Sequence, residues 1–74
     1  MTLNELKVGA NAIVSGINGK GVLRSRLLEM GVIPNTKITV VKKAPLGDPI
    51  EIYLRSYSLT LRLEDCKNIE VQVI

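Results

Sequence analysis

The sequence predicts a mainly β fold, a small five-stranded barrel with one inserted α-helix at about residues 22–30. Three observations lead there. From Thr36 onward, apolar residues recur at every second position, the period of strands with one buried face. One earlier stretch, VLRSRLLEM, switches to a helical period. The segments are short and punctuated by Gly, Pro and Asn, and closure into a barrel removes the exposed edges of such strands. An open antiparallel sheet with one wet face is the alternative arrangement.

The elements follow in order. Thr2 to Gly9 reads as a lead-in, with Leu3 and Leu6 tucked under the fold and Gly9 ending it. A strand over Asn11 to Ile17 places Ile13 and Ile17 on one side and Ala12 and Val14 on the other. Asn18-Gly19-Lys20-Gly21 is a turn, because Gly and Asn tolerate positive φ. In the helix, Leu23, Leu27 and Met30 recur at i, i+4 and i+7 on one face, the face expected to cover the barrel. Gly31 sits at the C′ position and Pro34 follows, so the helix has a clear stop.

Thr36 to Lys43 then turns Ile38 and Val40 inward and Val41 outward. Pro49 to Arg55 turns Ile50, Ile52 and Leu54 inward, against Glu51, Tyr53 and Arg55. Ser58 to Leu63 alternates Leu59, Leu61 and Leu63 with Ser58, Thr60 and Arg62. Leu63 to Lys67 is one short turn of helix, with Glu64 and Asp65 at its positive end. Asn68 to Val73 closes the chain with Ile69, Val71 and Val73 inward.

The 74 residues make a single domain, 1–74, with no room for a second core. Phe and Trp are absent, so Leu, Ile and Val must build that core. No apolar run is long enough to span a membrane, and the N-terminus lacks the pattern of a signal peptide. Cys66 is the only cysteine, which excludes an internal disulfide and fits a reducing compartment. A cytoplasmic location is the expectation.

The catalytic inventory is thin. Histidine is absent, so there is no imidazole base and no imidazole metal ligand. Cys66 stands alone, where structural zinc sites need clusters, and reads as a small core residue. Gly16, Gly19 and Gly21 do not match a phosphate-cradling spacing. The chain is therefore expected not to be an enzyme, with no catalytic or cofactor-binding residues and no metal site within one copy. The net charge of +3 is mild and its basic residues are scattered, with Lys42-Lys43 the only adjacent pair. A nucleic-acid surface would pair cations with stacking aromatics. Tyr53, with Arg55 and Arg62 on its face by parity, is a weak patch of that kind, and the sequence argues against nucleic acid as the main partner.

The run RLLEMGVIPNTKITVVKKAPLGDPIEIYLRSYSLTLR, from Arg26 to Arg62, resembles the FeoA family, the small cytoplasmic component of bacterial ferrous iron uptake. The marks are Arg26 to Gly31 with Pro34, then Ala44 to Pro49, then Arg55 to Arg62, then Asn68 to Val71. The resemblance implies an SH3-like barrel with an inserted helix. It also implies an accessory or regulatory protein that acts by protein–protein interaction with FeoB, the membrane ferrous iron transporter with a cytoplasmic GTPase domain. The same fold occurs as a C-terminal domain in metal-dependent repressors of the diphtheria-toxin-repressor type. The chain departs from the family where Asn35 and Ser56 replace glycines. Asn35 can take positive φ at modest cost, whereas Ser56 is expected in a turn that avoids it.

The partner surface is expected around Leu46, Gly47, Asp48 and Pro49, with Arg24, Arg26 and Leu28 of the helix as a second candidate. The competing reading makes Pro45 and Pro49 stiffeners of a corner, and Arg24 and Arg26 a solvated helix face. The rival function is a metal-responsive or nucleic-acid-binding small basic barrel. Weak self-association and an intersubunit transition-metal site stay open at this stage.

Overall fold

The structure is a computed structural model describing residues 1–74. A 3₁₀ turn over Leu3–Glu5 leads into β1 (Asn11–Ile17) and α1 (Gly21–Glu29). Then come β2 (Lys37–Lys43), β3 (Ile50–Leu54), β4 (Tyr57–Leu61), the single-turn α2 (Leu63–Cys66) and β5 (Ile69–Val73). All strand pairs are antiparallel and the sheet order is β4-β3-β2-β1-β5. The expected five strands and inserted helix are present. No ladder joins β4 to β5, so the ring of strand hydrogen bonds is incomplete.

The alternation of apolar residues decides what lies inside. Sixteen residues are buried and none is polar or charged. Ile38 and Val40 of β2, and Ile50, Ile52 and Leu54 of β3, meet Ala12 and Val14 of β1 there. Leu3 and Leu6 close one end, as the lead-in suggested. Since the interior holds only apolar groups, any chemistry or recognition must be done at the surface.

Helix α1 buries Leu27 fully and packs Leu23, Leu28 and Met30 against the core. Its end is a Schellman motif, in which Gly31 N–H donates to Leu28 O (3.1 Å) and Val32 N–H to Leu27 O (3.0 Å). Gly31 takes φ +96, and Val32 and Leu27 are both fully buried, which supplies the hydrophobic contact of that motif.

Three expectations need correction. Ile17 shares the inner face with Ala12 and Val14, not with Ile13, because the β1–β5 register shifts between Val14 and Gly16. A bulge adds one residue and so reverses the alternation beyond it. Val73 is 58% exposed, although it lies opposite the buried Ala12 at the end of β5. Ser56 does not avoid positive φ. Arg55 and Ser56 have φ of +48 and +72, both positive as in the tight two-residue hairpin turn whose twist matches the strands it joins. Asn35, with φ +73, behaves as expected and donates its N–H to Val14 O (2.7 Å).

Candidate docking surface

The β2–β3 connection is held by two backbone bonds. Ala44 N–H donates to Pro49 O (3.0 Å), and Gly47 N–H donates to Ala44 O (2.7 Å). The second bond closes a β-turn with Pro45 at the position where its fixed φ fits. Gly47 ends that turn at φ +81, a conformation that a side chain would strain. Leu46 is left at the tip, 94% exposed. A lone exposed leucine is ordinary on a protein surface. One carried on a hydrogen-bonded turn loses less entropy when a partner covers it.

Asp48 has an internal role that sequence spacing did not show. Its Oδ1 accepts the N–H of Leu63 (3.0 Å), the first residue of α2. The first N–H groups of a helix have no intrahelical acceptor, and Arg62, at the N-cap, offers no side-chain bond. Asp48 supplies that acceptor from another part of the chain. Glu64 and Asp65 lie in the first turn of α2, as expected.

The helix candidates are also engaged. Arg26 Nη2 lies 2.9 Å from Asp65 Oδ1, tying α1 to α2, and Arg24 Nη1 donates to Ile17 O (3.1 Å). Leu28 is half-buried against the core. The two candidate regions thus meet through α2, by Asp48 on one side and by Arg26 on the other. Among the expected residues, Leu46 and Pro49 are exposed and make no side-chain hydrogen bond or ion pair, and Gly47 shapes their backbone. Val22, in the first turn of α1, is 82% exposed and was not singled out. Its signal was its place off the Leu23-Leu27-Met30 face.

The weak aromatic patch is rearranged. Tyr53 pairs across to Ser58, Arg55 sits at the adjoining turn, and Arg62 follows Leu61 at the far end of β4. Lys37 and Thr39 of β2, rather than Arg62, line the shallow hollow around Tyr53 and Arg55. The Tyr57 hydroxyl donates to Met30 O, which ties that side chain to the C-terminal end of α1. A second hollow beside the loop is lined by Lys42, Lys43, Ala44, Pro45, Pro49, Glu51 and Thr60. There Lys42 faces Glu51 at 3.7 Å, and Lys43 Nζ donates to Asn4 O (3.2 Å).

Cys66 is fully buried, as its reading as a core residue required. Burial pushes its thiol up to about 12, with the Asp65 and Asp48 carboxylates adding to the effect. It stays a protonated thiol at neutral pH, a poor nucleophile and a poor ligand. No three His, Cys, Asp or Glu side chains converge as a metal-holding group. No helix is long and apolar enough to cross a membrane.

Known proteins resemble this chain in sequence and in geometry. The FeoA domain matches residues 1–73. An Fe(2+) transport protein A/Fe(2+) transporter FeoB fusion protein of Porphyromonas gingivalis is 45% identical over all 74 residues, which span 9% of its length. The NMR structure of an FeoA-like protein from Clostridium acetobutylicum is 39% identical, with a TM-score of 0.93 over 100% of this chain and 86% of that one. Stenotrophomonas maltophilia FeoA, described as an SH3 domain protein and solved as a zinc complex, is 26% identical with a TM-score of 0.85. That match covers 97% of this chain and 89% of the other. An SH3-like fold, a whole-chain relative and a domain match over residues 1–73 agree: the chain belongs to the FeoA family, which is associated with ferrous iron transport.

Proposed function

We propose that this chain is a cytoplasmic accessory protein of ferrous iron uptake that acts by docking on an FeoB-type transporter. One observation carries the reading. In the Porphyromonas gingivalis fusion, a segment 45% identical to the whole of this chain is joined covalently to FeoB. Fusion places the two at high effective concentration, which favours contact between them. The surface is consistent with that role, since it offers an exposed apolar tip at Leu46 on a held turn.

Iron is the cargo of such a system rather than a resident group. The zinc held by the Stenotrophomonas maltophilia protein has no evident counterpart in this chain's chemistry. Histidine is absent and the one thiol is buried and protonated, so a transition-metal site would draw on hard carboxylates alone.

The test is titration of the purified chain with the detergent-solubilised FeoB-type transporter and with its isolated cytoplasmic domain. Saturable binding to either is the expected outcome. Steeply salt-dependent binding to single-stranded RNA, with none to the transporter, would overturn the reading in favour of a nucleic-acid barrel.

A further inference from the structure

The two outer strands of the sheet are finished differently. The outer side of β5 is covered by the N-terminus, where Val71 N–H donates to Met1 O (2.8 Å) and Thr2 bridges Glu70. The outer side of β4 pairs with nothing. In a two-residue hairpin, Leu54 and Tyr57 form the first hydrogen-bonded pair, and the pairs then alternate along the ladder. Ser58 and Thr60 therefore direct their N–H and C=O groups away from β3.

Free edges are normally blunted by lysine, proline, a bulge or a cover. β4 has none of these. Tyr57–Leu61 contains no charge and no proline, and its register with β3 is unbroken. Cations stand instead at its two ends, Arg55 before the strand and Arg62 after it. Neither has a carboxylate within salt-bridge distance.

We infer that the outer edge of β4 takes an extended, acidic segment of the docking partner as an added strand. Main-chain bonds to Ser58 and Thr60 hold it, and carboxylates at its ends face Arg55 and Arg62. The inference rests on the docking role proposed above and supplies its chemistry. A second copy of this chain fits the edge less well. Antiparallel self-pairing centred on Ser58 or Leu59 brings Arg62 of one copy beside Arg55 of the other, cation against cation.

Amide hydrogen exchange, resolved to single residues, tests the edge with three probes. These are a short alternating Val/Thr peptide ended by Glu, the same peptide ended by Lys, and the solubilised transporter. Exchange at Ser58 and Thr60 is expected to slow at least ~10-fold with the Glu-ended peptide and with the transporter, but not with the Lys-ended peptide. Thr60→Pro removes an outward N–H that the β3 ladder does not use, and should abolish the protection. Should that variant fail to melt cooperatively, Arg62→Glu takes its place and should weaken the Glu-ended peptide about 10-fold. Transporter binding with Ser58 and Thr60 unprotected would leave docking standing and overturn the edge. Protection by the Glu-ended peptide without transporter binding would support the edge and remove the transporter as the source of its strand. Protection that rises with concentration of the chain alone would seat a second copy there and overturn the acidic partner.

Discussion

Strand β3 is bounded by two connections that do opposite work. At one end the two-residue turn Arg55-Ser56 is drawn against the C-terminus of α1, where the Tyr57 hydroxyl meets Met30 O beside Gly31. At the other, Ala44 to Pro49 bows outward and leaves Leu46 almost wholly in solvent. The first connection is consumed by the fold. The second is held by the fold but mostly not used by it. Replacements that disturb the backbone of the tight turn should therefore change stability, and replacements at the bowed loop should change binding. Asp48 is the exception in the loop, and the unpaired Arg55 guanidinium is the exception in the turn.

The largest effect is expected at Gly31→Ala. Its φ of +96 is strained for a side chain, and a Cβ there would strike the Tyr57 hydroxyl and approach Arg55 Cδ at 3.7 Å. Strain of this kind costs ~1–3 kcal/mol, a large share of what a domain this small has. Urea denaturation should show a lower midpoint at unchanged slope. A midpoint within error of the parent would mean that the helix end is not pinned to the turn.

Asp48→Ala comes next, and it tests the exception. Loss of a helix-capping acceptor costs ~0.5–2 kcal/mol, although Asp48 lies in the loop that otherwise serves presentation. Asp48→Asn keeps an oxygen acceptor for Leu63 N–H and should recover most of the loss. If both variants melt like the parent, the Asp48–Leu63 bond is dispensable and Asp48 is free to serve a partner. Smaller, and of opposite sign, is Ser56→Gly. At φ +72 serine carries a left-handed penalty that glycine lacks, partly offset by the greater entropy of unfolded glycine. A net gain of ~0.5 kcal/mol is expected, and a loss would show that the Ser56 side chain makes a contact worth more than its backbone strain.

These residues also show what the sequence made legible. The i, i+4, i+7 spacing of Leu23, Leu27 and Met30, the stop at Gly31 and the period-two runs are local signals, and each appears in the structure. Ile17 was misplaced because a bulge at Ser15–Gly16 depends on the register with β5, which lies far along the chain. Ser56 was misread because hairpin twist, a property of two paired strands, outweighs the preference of one residue. For the candidate surface, Leu46 and Pro49 stood out as residue types. The engagement of Asp48 with Leu63 and of Arg26 with Asp65 did not, since their partners lie 15 and 39 residues away. The open edge of β4 is likewise a property of sheet order, which no single segment encodes.

The smallest change in stability is expected at Leu46→Ser, and it bears most directly on function. Leu46 is 94% exposed, so its replacement removes almost no buried area and should shift unfolding by less than ~0.5 kcal/mol. The backbone of the turn is set by Pro45 and by Gly47 at φ +81, and neither is altered. If the loop only stiffens a corner, the variant should also bind the transporter like the parent. If the loop presents an anchor, affinity should fall ~10-fold or more, the loss of a centrally buried apolar contact. Unchanged stability with lost docking assigns the tip to the partner, and unchanged docking leaves the β4 edge to carry the contact. The double variant Leu46→Ser with Arg62→Glu then asks whether loop and edge serve one interface. Effects on affinity that exceed or fall short of the sum of the single changes would couple them, and simple additivity would make them independent contacts.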